Sequence, residues 1–280
     1  KDVKEGRIDL DTFIAQLSVE ELEAISRGGY IMGHPLGAKG NAGIFGGVTE
    51  SLRAKGVPPV VTTDGPSGIR LYDSCSLIPI GTLLACTFDA ALMETLMQKV
   101  SLEMKDRGSD VLLAPGMNIH RNPLCGRTFE YYSEDPYVSG KMAVAIVRGV
   151  QSHPGKGMSI KHFAANNCEL ERNFSSSNVS ERALREIYLR GFEIAVRESN
   201  PMTVMAAYNK INGVYCTNNY DLLVKVLRNE WGFEGLVMSD WDSMKAEPNN
   251  PIVPLSGDVQ KAHMAQCDLV SPGRPDQREA

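Results

Sequence analysis

Short apolar runs recur along this chain. Each gives way to a polar loop and then to a stretch with helical apolar spacing. Val57 to Thr63 (VPPVVTT), Asp110 to Ala114 (DVLLA), Met158 to Phe163 (MSIKHF), Thr203 to Ala207 (TVMAA) and Gly235 to Met238 read as strands. Thr82 to Thr87 (TLLACT) reads as another, and Asp268 to Val270 as a weaker one. Between them, helical spacing predicts helices from Asp89 to Arg107, from Asp135-Pro136 to about Ser152, from Asn178 and Glu181 to Ser199, and from Leu222 to Trp231. Asp89 and Gly108 bracket the first of these as cap and stop. Ile8 to Arg27 predicts a helical lead-in, with Ser18 and Glu21 as a capping box. Gly28 to Gly47 carries eight glycines and reads as a long loop. The segment ending at Ala280 reads as the first turn of a further helix.

Strand, polar loop and helix alternating in this way predict an α/β fold with a parallel sheet wrapped by helices. About seven strands favour a (β/α)8 TIM-like barrel, closed or slightly irregular, over an open sheet. No strand runs into G-x-G-x-x-G or a P-loop, which weighs against the nucleotide-binding alternative. Residues 1–280 are then one barrel domain with a helical lead-in.

Composition narrows the function classes. The chain has 280 residues, 42% apolar and 22% charged, enough for a core of normal size. Its net charge of −5 and lack of a basic cluster give no footprint for nucleic acid or an anionic membrane. No apolar run reaches the roughly 18 residues of a membrane span. The charged start, KDVKEGRIDLDTF, is not a signal peptide, so a cytoplasmic location is expected. With Lys1 in place of Met, processing or excision from a longer chain is expected. The six cysteines are scattered and read as reduced, mostly core residues. The five histidines lack ligand spacing, so no metal centre is expected.

The predicted strands end in chemistry. Asp64 and Arg70 flank a Gly/Pro-rich turn, Arg127 lies in a dense polar loop, and Lys161-His162, Tyr208 and Asp240-Trp241 close three more strands. Asp after a strand is often only a helix N-cap. Carboxylates grouped with Arg, Lys and His, however, suit a ligand rich in hydroxyls, and Trp beside a carboxylate suits stacking on a sugar face. Adjacent strand residues point to opposite faces. If Lys161 and His162 both serve one ligand, the backbone there must leave regular strand geometry, for instance through a non-proline cis peptide.

These motifs resemble family-3 glycoside hydrolases of the β-glucosidase type. The resemblance rests on TDGPSGIR (Thr63 to Arg70), NIHRNPLCGRTFEYYSEDP (Asn118 to Pro136), KHFAANN (Lys161 to Asn167), VSERALREIYLRGFEIAV (Val179 to Val196), MAAYNKING (Met205 to Gly213) and VMSDW (Val237 to Trp241), in the family's order. It implies that Asp240 is the nucleophile of a retaining, exo-acting hydrolase that releases a terminal β-D-glucosyl residue through a glycosyl-aspartate. It implies that Asp64 holds hydroxyls on the far side of the sugar. Arg127, Lys161 and His162 are implied as further ligands, with Tyr208 beside the nucleophile and Trp241 on the acceptor side. Arg70 and Glu130 match the motifs either as ligands or as ion-pair partners. Lys161, Arg127 and His162 are expected to keep Asp240 ionised by opposite charge. No cofactor is implied.

The family's acid/base is usually a Glu on an α/β sandwich domain, or an Asp–His pair after the KHF strand. The loop Ala164 to Asn178 has Glu169 and Glu171 but no further His, so the sandwich partner is expected outside this chain. A β-xylosidase or β-N-acetylglucosaminidase of the same family, and a Schiff-base aldolase using Lys161, are the alternatives. Homo-oligomerisation is left open.

Overall fold

The apolar runs become strands of one sheet in the computed structural model, which describes residues 2–29, 32–244 and 258–273. In chain order the strands are β1 (Gly43–Gly46), β2 (Pro59–Asp64), β3 (Val111–Leu113), β4 (Gly157–Phe163), β5 (Ser176–Ser177), β6 (Thr203–Ala206), β7 (Lys210–Ile211), β8 (Val214–Tyr215) and β9 (Leu236–Ser239). Six form a mixed sheet in the order β1-β2-β3-β4-β6-β9, with only β1 antiparallel to its neighbour. The sheet curls. Beyond β9, Met238 bridges Leu269 and Val270 bridges Arg27, and the Gly29 N–H donates to the Ile44 carbonyl of β1 at 2.7 Å.

Alternate strand residues face opposite sides of the sheet. Ala42, Leu113, Met205, Met238 and Leu269 meet inside the curl. Leu112, Ile160, Val204 and Val237 join the larger core shared with the helices. With both faces covered, the strands read as unbroken apolar runs, which is why they stand out in the sequence.

Helices Ala90–Arg107, Pro136–Gln151 and Arg190–Ser199 pack side by side on the outer face. Asp89 and Asp135 cap the first two by accepting from the N–H groups of Leu92 and Tyr137. Gly108, at φ 71°, ends the first in the left-handed conformation. Where these two helices meet, a Cβ on Gly149 would lie 2.6 Å from the Glu94 carbonyl oxygen, so the approach depends on the missing side chain.

Carboxylates staple the sheet at the starts of two strand segments. Asp110 accepts from the Val61 N–H at 2.9 Å and pairs with Lys156. Asp268 accepts from the Val237 N–H at 2.7 Å and pairs with Arg228 at 2.6 Å.

Several expectations need correction. Thr82 to Thr87 is not a strand: Gly81–Ala85 is a short helix. Leu83, Leu84 and Ala85 are strong helix formers, and the Thr82 hydroxyl is held by the Thr128 carbonyl at 2.7 Å. The glycine-rich segment is not all loop, because it contains β1. The lead-in is two helices, Leu10–Ile14 and Val19–Ser26, the second with the expected capping box. The helix expected from Glu181 to Ser199 contains a wide π turn at Leu184–Tyr188, and Asp221–Glu230 is wholly π-helical. The tail at Ala280 lies outside the described residues. The Lys161–His162 peptide is cis, as are Phe163–Ala164, Ala114–Pro115 and Ser271–Pro272.

Candidate active site

The parallel strands all run toward one rim of the curl, and their C-terminal ends surround a cavity of about 370 Å3. Its floor is the inner apolar layer: Ala42, Leu113 and Met205. Its walls include every candidate named from the sequence: Asp64, Arg70, Arg127, Lys161, His162, Tyr208, Asp240 and Trp241. Glu130 also lines it. So do Arg172, Phe129 and Met32, which the strand-end reasoning missed.

Asp240 follows β9 directly and is buried. The Trp241 backbone N–H donates to its Oδ1 at 2.7 Å. Its Oδ2 makes no hydrogen bond among the described residues, and His162 Nε2 stands off at 3.6 Å. Burial raises the Asp240 pKa above the ordinary carboxylate range. Lys161, the Trp241 N–H, Arg127 and Arg172 pull the other way without cancelling it.

His162 does not help as expected. Burial, reinforced by the positive charges of Arg127, Lys161 and Arg172, pushes its pKa well down and holds the ring neutral. The opposite-charge support for Asp240 therefore comes from Lys161 and the arginines alone.

Asp64 closes β2 and bridges two cations, with Lys161 Nζ at 2.8 Å and an Arg70 guanidinium nitrogen at 2.9 Å. Burial works to raise its pKa, but the charge and hydrogen bond of Lys161, with Arg70 and Arg127, outweigh it and hold the carboxyl down. Arg127 pairs with buried Glu130, and its own pKa is raised: burial opposes the charge, and Tyr131, Glu130 and Asp240 more than offset it. Glu130 thus acts as the partner that aims Arg127.

The Tyr208 hydroxyl donates to the Trp241 carbonyl at 2.6 Å. Burial first, and Asp240 second, push its pKa up. Arg172 lies 4.4 Å from the Tyr208 ring centre and pairs with Glu169 at 2.7 Å. Glu169 also accepts from Asn166, so its carboxylate is already engaged. The i,i+3 spacing of Glu169 and Arg172 was the available signal for Arg172. Trp241 is pinned through its indole N–H, which donates to the Ala42 carbonyl at 2.8 Å.

Among the described residues no group of three or more His, Cys, Asp or Glu side chains converges as metal ligands would. No described helix is long and apolar enough to cross a membrane. The arrangement offers a buried carboxylate, several cationic side chains and an indole, all lining one cavity.

Residues 42–275 match the family model described as the glycosyl hydrolase family 3 N-terminal domain. A beta-glucosidase of Ruminococcus albus is 48% identical over 242 residues, 86% of this chain and 25% of that protein. The solved structure of a beta-glucosidase from Paenibacillus barengoltzii superposes with a TM-score of 0.89 at 45% identity, covering 96% of this chain and 29% of that one. The structure of beta-glucosidase 3B from Thermotoga neapolitana in complex with glucose gives 0.82 at 45% identity, covering 96% and 37%. The chain thus spans about a quarter to a third of the length of these relatives.

Proposed function

The chain belongs to glycosyl hydrolase family 3, and on that premise we propose that it carries the nucleophile and the sugar-binding half of a retaining β-glucosidase. The observation that carries the reading is Asp240: a buried carboxylate at a strand end that lines the cavity, with one oxygen committed to a backbone N–H and the other 3.6 Å from His162 Nε2. A retaining hydrolase needs such a nucleophile, with a protonated acid about 5–5.5 Å away. In this reading Oδ2 attacks the anomeric carbon, the leaving oxygen departs with a proton, and water later breaks the glycosyl-aspartate. Asp64, Arg127 and Lys161 hold the sugar's hydroxyls, neutral His162 adds a neutral hydrogen-bonding group, and Trp241 offers a face to the departing group. Arg70 orients Asp64, and Tyr208 borders the nucleophile.

The proton donor is assigned to a part of the protein outside this chain. Glu169 is engaged by Arg172 and Asn166, and the relatives are three to four times longer than the stretch they share with it. The curled sheet is read as a (β/α)8-type barrel; the bridges of Leu269 and Val270 and the Gly29–Ile44 hydrogen bond support that closure. A Schiff-base role for Lys161 is disfavoured, since its amine is buried in the ion pair with Asp64.

The test is trapping with a 2-deoxy-2-fluoro glucoside on the intact protein. One labelled peptide containing Asp240, modified at that residue, is expected. Label on Asp242, Glu169 or Glu171 would sink the assignment. A panel of aryl glucosides, xylosides and N-acetylglucosaminides then fixes the sugar.

A further inference from the structure

We propose that Asn118 is a positioning residue for the pocket: its carboxamide holds the backbone of His162 and thereby aims the His162 side chain. The inference rests on the reading of this cavity as a sugar site, and its geometric part stands apart from that reading.

The pairing of β4 with its neighbours is interrupted at His162, where β4 enters the pocket. On one side the ladder between β3 and β4 covers Val111 with Gly157 and Leu112 with Met158. It is prolonged past β3 by Lys161, whose N–H donates to the Pro115 carbonyl at 2.9 Å and whose carbonyl accepts from Met117 at 2.7 Å. On the other side the register with β6 shifts between Ile160 and Phe163, which leaves His162 out of the ladder. Its backbone groups are buried, and buried backbone groups in native proteins are nearly always paired.

Asn118 supplies both partners. Its Oδ1 accepts from the His162 N–H at 3.0 Å, and its Nδ2 donates to the His162 carbonyl at 2.9 Å. Oδ1 also lies 3.3 Å from His162 Nδ1, so the same side chain borders the imidazole. Asn118 is itself buried. A carboxamide is the one short side chain that presents an acceptor and a donor side by side, as a peptide group does. Asn118 thus acts as one further rung of the ladder, at the point where Lys161 and His162 must both face the cavity.

The test uses Asn118→Leu and Asn118→Asp in the intact protein. Leu keeps the shape with neither donor nor acceptor; Asp keeps the acceptor but sets a carboxylate oxygen against the His162 carbonyl in place of the donor. The readouts are the imidazole nitrogen NMR signals of His162, assigned by comparison with a His162→Gln protein, and kcat and KM on an aryl β-glucoside well below each variant's Tm. In both variants the His162 signals are expected to move. Activity as kcat/KM is expected to fall about 100-fold in both. Unmoved His162 signals in folded Asn118→Leu, or in Asn118→Asp where the Leu protein does not fold, would overturn the proposal. So would a lowered Tm with kcat and KM unchanged. A wild-type protein inactive on every glycoside would overturn the glycosidase reading instead, and the NMR signals would still decide the role of Asn118.

Discussion

As the proposed nucleophile, Asp240 would have to be ionised to attack, yet burial works against its charge. Its pKa is raised, so the reactive form is present above that raised value and is lost as pH falls through it. The acid limb of kcat/KM is therefore expected above the ordinary carboxylate range. Lys161 is the strongest of the groups pulling that pKa back down. Lys161→Met should then move the limb to higher pH, besides weakening sugar binding; a shift to lower pH in the measured profile would contradict this ordering of charges. Asp240→Asn is expected to cost several orders of magnitude in kcat, because only binding and positioning remain. Glu130→Gln leaves the Arg127 guanidinium with a weaker partner in a buried setting. A loss of up to about 3 kcal/mol in urea unfolding is expected, with KM rising more than kcat falls. Asp64, Lys161, His162, Tyr208, Asp240 and Trp241 were legible because each sits at or just past the end of an apolar run, where side-chain chemistry changes abruptly; Arg70 and Arg127 stood out in the polar loops that follow such runs. Arg172 was harder to read, lying mid-loop and reaching the cavity only by stacking on Tyr208. The neutrality of His162 was not legible at all, since it depends on burial and on the combined charge of its neighbour Lys161 and of Arg127 and Arg172 from two separate loops.

Among the elements, strands buried on both faces were the easiest to place, and the errors fell where length or glycine obscured the pattern. The run TLLACT is as long as a strand, but its residues favour helix, and only the contacts of Thr82 with the loop at Thr128 show which preference won. β1 was hidden because its glycines mimic a loop; pairing with β2 gives it order that its own sequence does not. The β7–β8 hairpin had a signal that went unused: Asn212 and Gly213 both have positive φ, 49° and 89°, as a two-residue primed turn requires. Helix contacts are open to a direct test. Gly149→Ala adds one methyl group against the Glu94 carbonyl and Met97. It is expected to cost about 1–3 kcal/mol in chemical denaturation. The kcat of the molecules that remain folded should be unchanged, since no pocket residue lies on that helix. Full stability with the added methyl would mean that the two helices separate freely.

For the whole molecule, the proposed division of labour predicts how this chain behaves by itself. General acid catalysis contributes roughly 10²–10⁴-fold, and most to leaving groups that need a proton. Alone, the 280-residue chain should turn over a dinitrophenyl glucoside slowly and leave cellobiose intact. Comparable rates on the two would place the acid within it, with Glu169 and Glu171 the first positions to mutate. The link from the Trp241 indole to the Ala42 carbonyl spans 199 residues of sequence, and this sets the order in which the pocket can arise. Closing so long a loop carries an entropic cost before any contact repays it, and distant pairings slow folding. The pocket draws on Ala42 at one end of the sheet and Asp240 at the other, so it is expected to be the last region to mature. The two tryptophans can time this. Trp231 packs in the helix-side core beside Phe163, while Trp241 lines the pocket. In stopped-flow refolding of Trp231→Phe and Trp241→Phe proteins, the Trp231 signal should settle first, and the Trp241 signal should settle together with the return of glucose binding.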